Sequence, residues 1–136
     1  MKMTPLFAVM ALVAAPALAQ DADPAALESG RAEYLAACAA CHGENADGNG
    51  PIATMFRSPV PGLTTLAAAN EGVFPMLDVI HIIDGRTGVQ AHGTPMPTFG
   101  ARYRREIGDL AGEYGAEQII RGRVLDLALY LESIQE

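Results

Sequence analysis

Two thiols and an imidazole stand together in this chain, in the run Cys38-Ala39-Ala40-Cys41-His42. Cysteines at i and i+3 of a helix share a face, so both sulfurs can reach the two vinyl groups of one porphyrin. The histidine that follows then turns its imidazole toward the iron as a proximal ligand. Cys-x-x-Cys-His is the attachment pattern of a c-type haem. Other uses of the pair fit less well. A thioredoxin-like redox pair sits in a βαβ context, and no such context is visible here. A structural zinc site takes four ligands, and these are the only two cysteines. Haem c attached through Cys38 and Cys41, with His42 on the iron, is the reading; no disulfide is expected.

Iron in a haem offers a second axial position. The candidates are His81, His92, Met55, Met76 and Met96. Met96 stands between Pro95 and Pro97, and two prolines hold the backbone extended and stiff. A thioether presented in this way needs little further ordering, and a soft sulfur opposite histidine raises the reduction potential. His92, four residues earlier, is the runner-up. His81, set among isoleucines, reads as a core histidine with a backbone partner. Met55 and Met76 read as packing residues.

The N-terminus suggests where such a group would be installed. Lys2 precedes an apolar run from Pro5 to Ala19 that ends in Ala17-Leu18-Ala19, the layout of a secretory signal peptide. Cleavage after Ala19 leaves residues 20–136 as one domain, periplasmic and without stable membrane insertion. A chain this short buries a modest core, and a covalent macrocycle wrapped by helices would extend it. The 136 residues carry nine Lys plus Arg against sixteen Asp plus Glu, a net charge of −7, and Lys2 is the only lysine. An acidic surface argues against nucleic acid and anionic membranes, and favours partners with a basic docking face. Arg102, Arg104, Arg105, Arg121 and Arg123 could form a local basic patch; an ordinary solvated helical face is preferred.

The elements that must position these groups read as helices. Asp23-Pro24 is an N-cap followed by proline at the first helical position, opening a helix over 24–41 that ends on the haem motif and stops at Gly43. Residues 43–51 form a turn-rich loop. Asn45, Asp47 and Asn49 weakly imitate a calcium loop, but Phe56 stands where its bidentate glutamate belongs, and calcium is rejected. A short helical turn is expected at 52–57, then irregular backbone to Asn70. Phe74, Leu77, Ile80 and Ile83 predict a helix over 71–84, stopped by Gly85. A short helix bearing arginines is expected at 101–113. Ile120, Val124, Leu127, Leu131 and Ile134 give the clearest period, an amphipathic helix over 116–135. With no sustained strand alternation, the domain is expected to be all-α.

Together these residues resemble the class I c-type cytochromes, small exported mono-haem electron carriers. The likeness runs over most of 27–135. Gly30 and Tyr34 are similar to the family's small and aromatic residues where the N-terminal helix crosses the C-terminal one, with Tyr130 as the aromatic partner. Cys38, Cys41 and His42 match the haem signature, and Met96-Pro97-Thr98-Phe99 resembles the distal-ligand loop. The resemblance implies that the Pro51 carbonyl accepts the other N–H of His42, fixing its tautomer. Arg86 could pair with a haem propionate, with Arg57 as an alternative. The chain departs from the family in a longer span between His42 and Met96, and in residues 57–70 and 101–115, which no motif covers.

The expected function is electron transfer through haem iron with His42/Met96 ligation. The protein would act as a soluble periplasmic carrier or as the electron-accepting subunit of a dehydrogenase, with a dehydrogenase, oxidase or reductase as redox partner. It is not expected to be an enzyme, since no Ser/His/Asp or paired-carboxylate constellation stands out. Two alternatives remain open. One is a peroxidase-like haem enzyme with His92 above the iron; the other is a gas-binding sensor in which Met96 is displaced.

Overall fold

The computed structural model describes residues 22–85, 96–108 and 111–136. The expected signal peptide, Arg86, His92 and Pro95 lie outside the described residues. Six α-helices make up the described fold: α1 (Pro24–Ala37), α2 (Ala39–His42), α3 (Leu66–Ala69), α4 (Met76–Asp84), α5 (Phe99–Ile107) and α6 (Gly112–Ser133), with a 3₁₀ turn at Ala53–Met55. Among the described residues there is no strand, and no helix is long and apolar enough to cross a membrane. The all-α expectation holds.

The frame is the crossing of α1 and α6, the most extensive helix pairing among the described residues. α1 starts as its sequence dictates, with the Asp23 carboxylate accepting the Ala25 N–H at 3.0 Å and Pro24 at the first position. Midway along it, Gly30 lets the two backbones touch: a Cβ there would collide with the Asp126 carbonyl and lie 2.8 Å from Tyr130 Cβ. One turn further on, the fully buried Tyr34 meets Tyr130, ring centroids 5.5 Å apart and planes tilted by 49°. Such a pair adds about 1 kcal/mol beyond its buried area. From α6, Ile120, Val124, Leu127, Ala128 and Leu131 are all buried, which is the face that the period predicted. Gln135 closes the end: its amide donates to the Leu63 and Leu131 carbonyls and its oxygen accepts the Ala67 N–H.

Several boundaries differ from expectation for visible reasons. The first helix does not run unbroken to residue 41: Cys38, at φ −113°, departs from helical geometry and divides α1 from α2. The helix expected over 71–84 begins only at Met76, because Glu71 and Gly72 take left-handed φ values of 56° and 84° and cannot continue a right-handed helix. This later start also changes the buried face. Val79 and Ile83 are buried and Met76 and Ile80 pack beside them, while Leu77 is 70 % exposed. His81 is exposed as well. At 100° per residue it points away from the Val79/Ile83 face, so it is not the core histidine expected. The short α3 forms where irregular backbone is expected, because Leu-Ala-Ala-Ala is a strong helix former. Gly85 stops α4 as expected, with φ 75° and its N–H on the His81 carbonyl at 2.9 Å.

The arginine-bearing helix is α5, earlier and shorter than expected, and it is tied to both α1 and α6. Its inner face is Phe99, Tyr103 and Ile107, at steps of four. Tyr103 is fully buried and its hydroxyl donates to Glu33 Oε2 on α1 at 3.1 Å. Outside, Arg102 pairs with Glu106, Arg104 and Arg121 with Glu117, and Arg123 with Glu33 and Glu106. These four arginines thus form an ion-paired solvated face, as preferred over a basic patch, and exposed pairs of this kind are each worth a few tenths of a kcal/mol.

Candidate haem site

α2 is barely one turn long, and a helix end leaves carbonyls without intrahelical partners. Here the chain that follows supplies all of them. Gly43, at φ 84°, ends the helix with its N–H on the Ala39 carbonyl at 2.9 Å. The loop then doubles back. Ile52 donates to Ala40 at 3.1 Å, Gly50 to Cys41 at 3.1 Å and Gly48 to His42 at 2.7 Å. Gly50 has to be a glycine, since a Cβ would sit 2.6 Å from the Cys41 carbonyl oxygen. The Cys-x-x-Cys-His turn is therefore sheathed by the residues after it, and its side chains are fixed from the backbone outward.

The loop has its own internal bracing. Asp47 accepts the Asn49 N–H at 3.0 Å and the Asn49 side-chain amide at 3.1 Å, an Asx turn. These bonds hold the Asp47 carboxyl below the usual carboxylate range. Ala46 is fully buried at φ 57°, and its carbonyl accepts the Leu63 N–H at 2.7 Å. That bond draws residues 60–63 against the loop. In consequence the Pro61 carbonyl lies 3.0 Å from His42 Nδ1. A carbonyl only accepts, so Nδ1 carries the proton and the lone pair is on Nε2. His42 is 7 % exposed, held in the tautomer that a metal ligand needs.

Here the resemblance misassigned a residue. The carbonyl bonded to His42 belongs to Pro61, not Pro51, which is exposed in the turn before the 3₁₀ segment. The proline pair Pro59 and Pro61 was visible in the sequence, but nothing local marked Pro61, because the Ala46–Leu63 bond that delivers it links distant residues. Met55 also departs from expectation: it is 79 % exposed and packs no core.

The two sulfurs differ. Cys38 is 8 % exposed, and burial, with Cys41 and Glu33 adding to it, pushes its thiol up to about 12. A buried sulfur held uncharged in this way suits a thioether. Cys41 is partly exposed, and both cysteines are free of disulfide. Among the described residues no group of three or more His, Cys, Asp or Glu could hold a metal ion.

Met96 is partly buried and packs against the same apolar cluster as Cys38, Phe99 and Tyr103. The backbone around it is fixed by close approaches. A Cβ on Gly85 would run into the Thr98 side chain, and one on Gly100 would lie 2.8 Å from the Asp84 carbonyl. The end of α4 and the start of α5 are thereby pressed together beside Met96. Arg57 is exposed.

A family model described as Cytochrome c matches residues 27–134. The chain belongs to the cytochrome c family. Comparisons with curated proteins and with solved structures returned no match. The family implies a covalently bound haem c and haem-based electron transfer, and the residues of this cytochrome fit that group. Cys38 and Cys41 are two thiols that could form the thioether bonds, and His42 presents Nε2. The buried His42 and the partly buried Met96 on the apolar cluster suit a largely hydrophobic macrocycle.

Proposed function

We propose that this cytochrome is an exported, non-enzymatic electron carrier, or the electron-accepting subunit of a dehydrogenase, with His42 and Met96 as its axial ligands. The observation that carries the reading is the tethered His42. Its ring is buried, its tautomer is fixed by Pro61, and the turn that bears it is bonded at every carbonyl. Fixed ligands keep the reorganisation accompanying a change of oxidation state small. When bound, the haem supplies an iron that gains and loses one electron. The chain does the rest: Cys38 and Cys41 anchor the macrocycle, His42 donates through Nε2, and Met96 offers a sulfur from a backbone stiffened by Pro97.

The remaining assignments follow from sequence and charge. Residues 1–19 direct export to the periplasm. The acidic chain meets redox partners, a dehydrogenase, oxidase or reductase, through a basic docking face. From the sequence, Arg86 is the candidate to pair with a haem propionate, with Arg57 as the alternative.

Optical spectra of the mature holoprotein, oxidised and reduced, beside Met96→Ala test the ligation. The expected result is a low-spin protein in both states with a methionine–ferric charge-transfer band that M96A loses. A high-spin wild type, or an unchanged variant, would overturn the reading and turn attention to a peroxidase-like enzyme using His92 or to gas binding.

A further inference from the structure

The Tyr34 side chain does more than fill the crossing of α1 and α6. A phenylalanine would fill the same volume and keep the ring contact with Tyr130, 5.5 Å between centroids. The hydroxyl is the additional group, and it is fully buried. A buried hydroxyl is costly unless it is bonded. Here it donates to the Gly43 carbonyl at 2.6 Å. Gly43 follows His42 directly, at the left-handed φ of 84° that ends α2.

From that carbonyl the contacts run in a closed ring. The Gly43 oxygen also accepts the Ala46 N–H at 3.1 Å, and the Ala46 carbonyl accepts the Leu63 N–H at 2.7 Å. Leu63 stands two residues beyond Pro61, whose carbonyl meets His42 Nδ1 at 3.0 Å. Within the ring, the Gly48 N–H holds the His42 carbonyl at 2.7 Å. Tyr34 fastens the Gly43 end of this ring to α1, as Gln135, bonded to Leu131 of α6, holds its Leu63 end. We infer that the Tyr34 hydroxyl is a positioning group for the proximal ligand, holding the Gly43–Leu63 loop so that the Pro61 carbonyl stays on His42 Nδ1. Burial keeps the phenol protonated, with a pKa pushed well above its ordinary value, so the donor persists across the neutral range.

The consequence is electronic as well as structural. A shorter, straighter Nδ1–H···O bond makes imidazole a stronger donor and favours the ferric state. Loosening the loop weakens that bond, so the potential should rise. The inference rests on His42 as an iron ligand, and the test separates the two claims. The wild-type holoprotein is examined first; without a histidine-ligated low-spin spectrum, the functional reading fails before Tyr34 is tested.

Given that spectrum, Tyr34→Phe is compared with wild type and with Tyr130→Phe, which keeps the crossing but has no bond to the loop in its ring. Y34F should stay low-spin. Its His42 Nδ1–H and its Gly48 and Leu63 amides should exchange about tenfold faster, the equivalent of one modest hydrogen bond. Its paramagnetically shifted His42 resonances should move and its reduction potential should rise, with Y130F unchanged in all of these. Asp47→Ala, which loosens the same loop from its exposed side, should move the same signals in the same direction and stands in if Y34F gives no holoprotein. A Y34F protein that melts lower but leaves the His42 resonances, exchange and potential at wild-type values would overturn the inference. In the absence of Y34F holoprotein, unchanged His42 signals in D47A would do so too.

Discussion

His42 is positioned by a residue nineteen places away, and the reach of that bond explains what the sequence could and could not disclose. The two cysteines and the histidine stand out in the sequence because covalent haem attachment calls for such residues at fixed spacing. Pro61 is not, because its carbonyl would serve from any residue type that the loop brought to the same place; only the Ala46–Leu63 bond and the tight approach at Gly48 select it. Asp47 is the exposed member of that loop, and its titration can be read. Its carboxyl is depressed when folded by the bonds from Asn49. The sign follows: a lowered folded pKa gives stability that is present above the unfolded value near 3.9 and lost as pH falls through the folded value. Asp47→Ala is therefore expected to lower the melting temperature at pH 7. The gap from wild type should close as thermal scans are taken down through pH 4 to pH 3. A gap that stays constant over that range would mean that the carboxylate is not what braces the loop.

At the scale of elements, the helices were found where period and caps were strong and misplaced where backbone conformation decided. α6 declared itself by Ile120, Val124, Leu127 and Leu131, all buried as predicted. α4 did not, because the left-handed pair Glu71 and Gly72 delays its start and rotates the buried face from Leu77 to Val79. Only glycine hinted at that turn; a left-handed glutamate has no sequence signature. The glycines of the two long helices separate packing from propensity. At Gly30 a Cβ would strike the Asp126 carbonyl, while at Gly122 it would meet nothing within 4 Å, on the exposed side of α6. Gly30→Ala should destabilise by about 3 kcal/mol, since α1 must move off α6 to admit the methyl. Gly122→Ala should stabilise by about 0.5–1 kcal/mol, because alanine restricts the unfolded chain and suits a helix interior. Denaturant melts of the holoprotein report both. Equal effects of like sign would contradict the close crossing at Gly30.

Across the whole molecule, charge is distributed in a way that bears on how electrons leave. The chain carries a net −7, yet residues 48–70 contain no Asp or Glu and a single charge, Arg57. That stretch is tied to α2 by the Gly50 and Ile52 bonds, and it exposes Ile52, Met55 and Phe56. An apolar, acid-free face therefore adjoins the Cys38–His42 turn of an otherwise acidic protein. At 0.1 M salt the Debye length is about 10 Å, so a small reagent reacting at this face senses the local charge more than the total. Two inorganic oxidants of opposite sign, ferricyanide and a cationic cobalt complex, make this measurable. If electrons leave through the 52–57 face, the salt dependence of both rates should be weaker than the net charge of the whole acidic chain demands. Met55→Glu should then slow ferricyanide and speed the cobalt complex by about twofold to fivefold, the effect of one nearby charge at an exposed site. Rates that follow the full net charge and ignore M55E would place the exit on a different face.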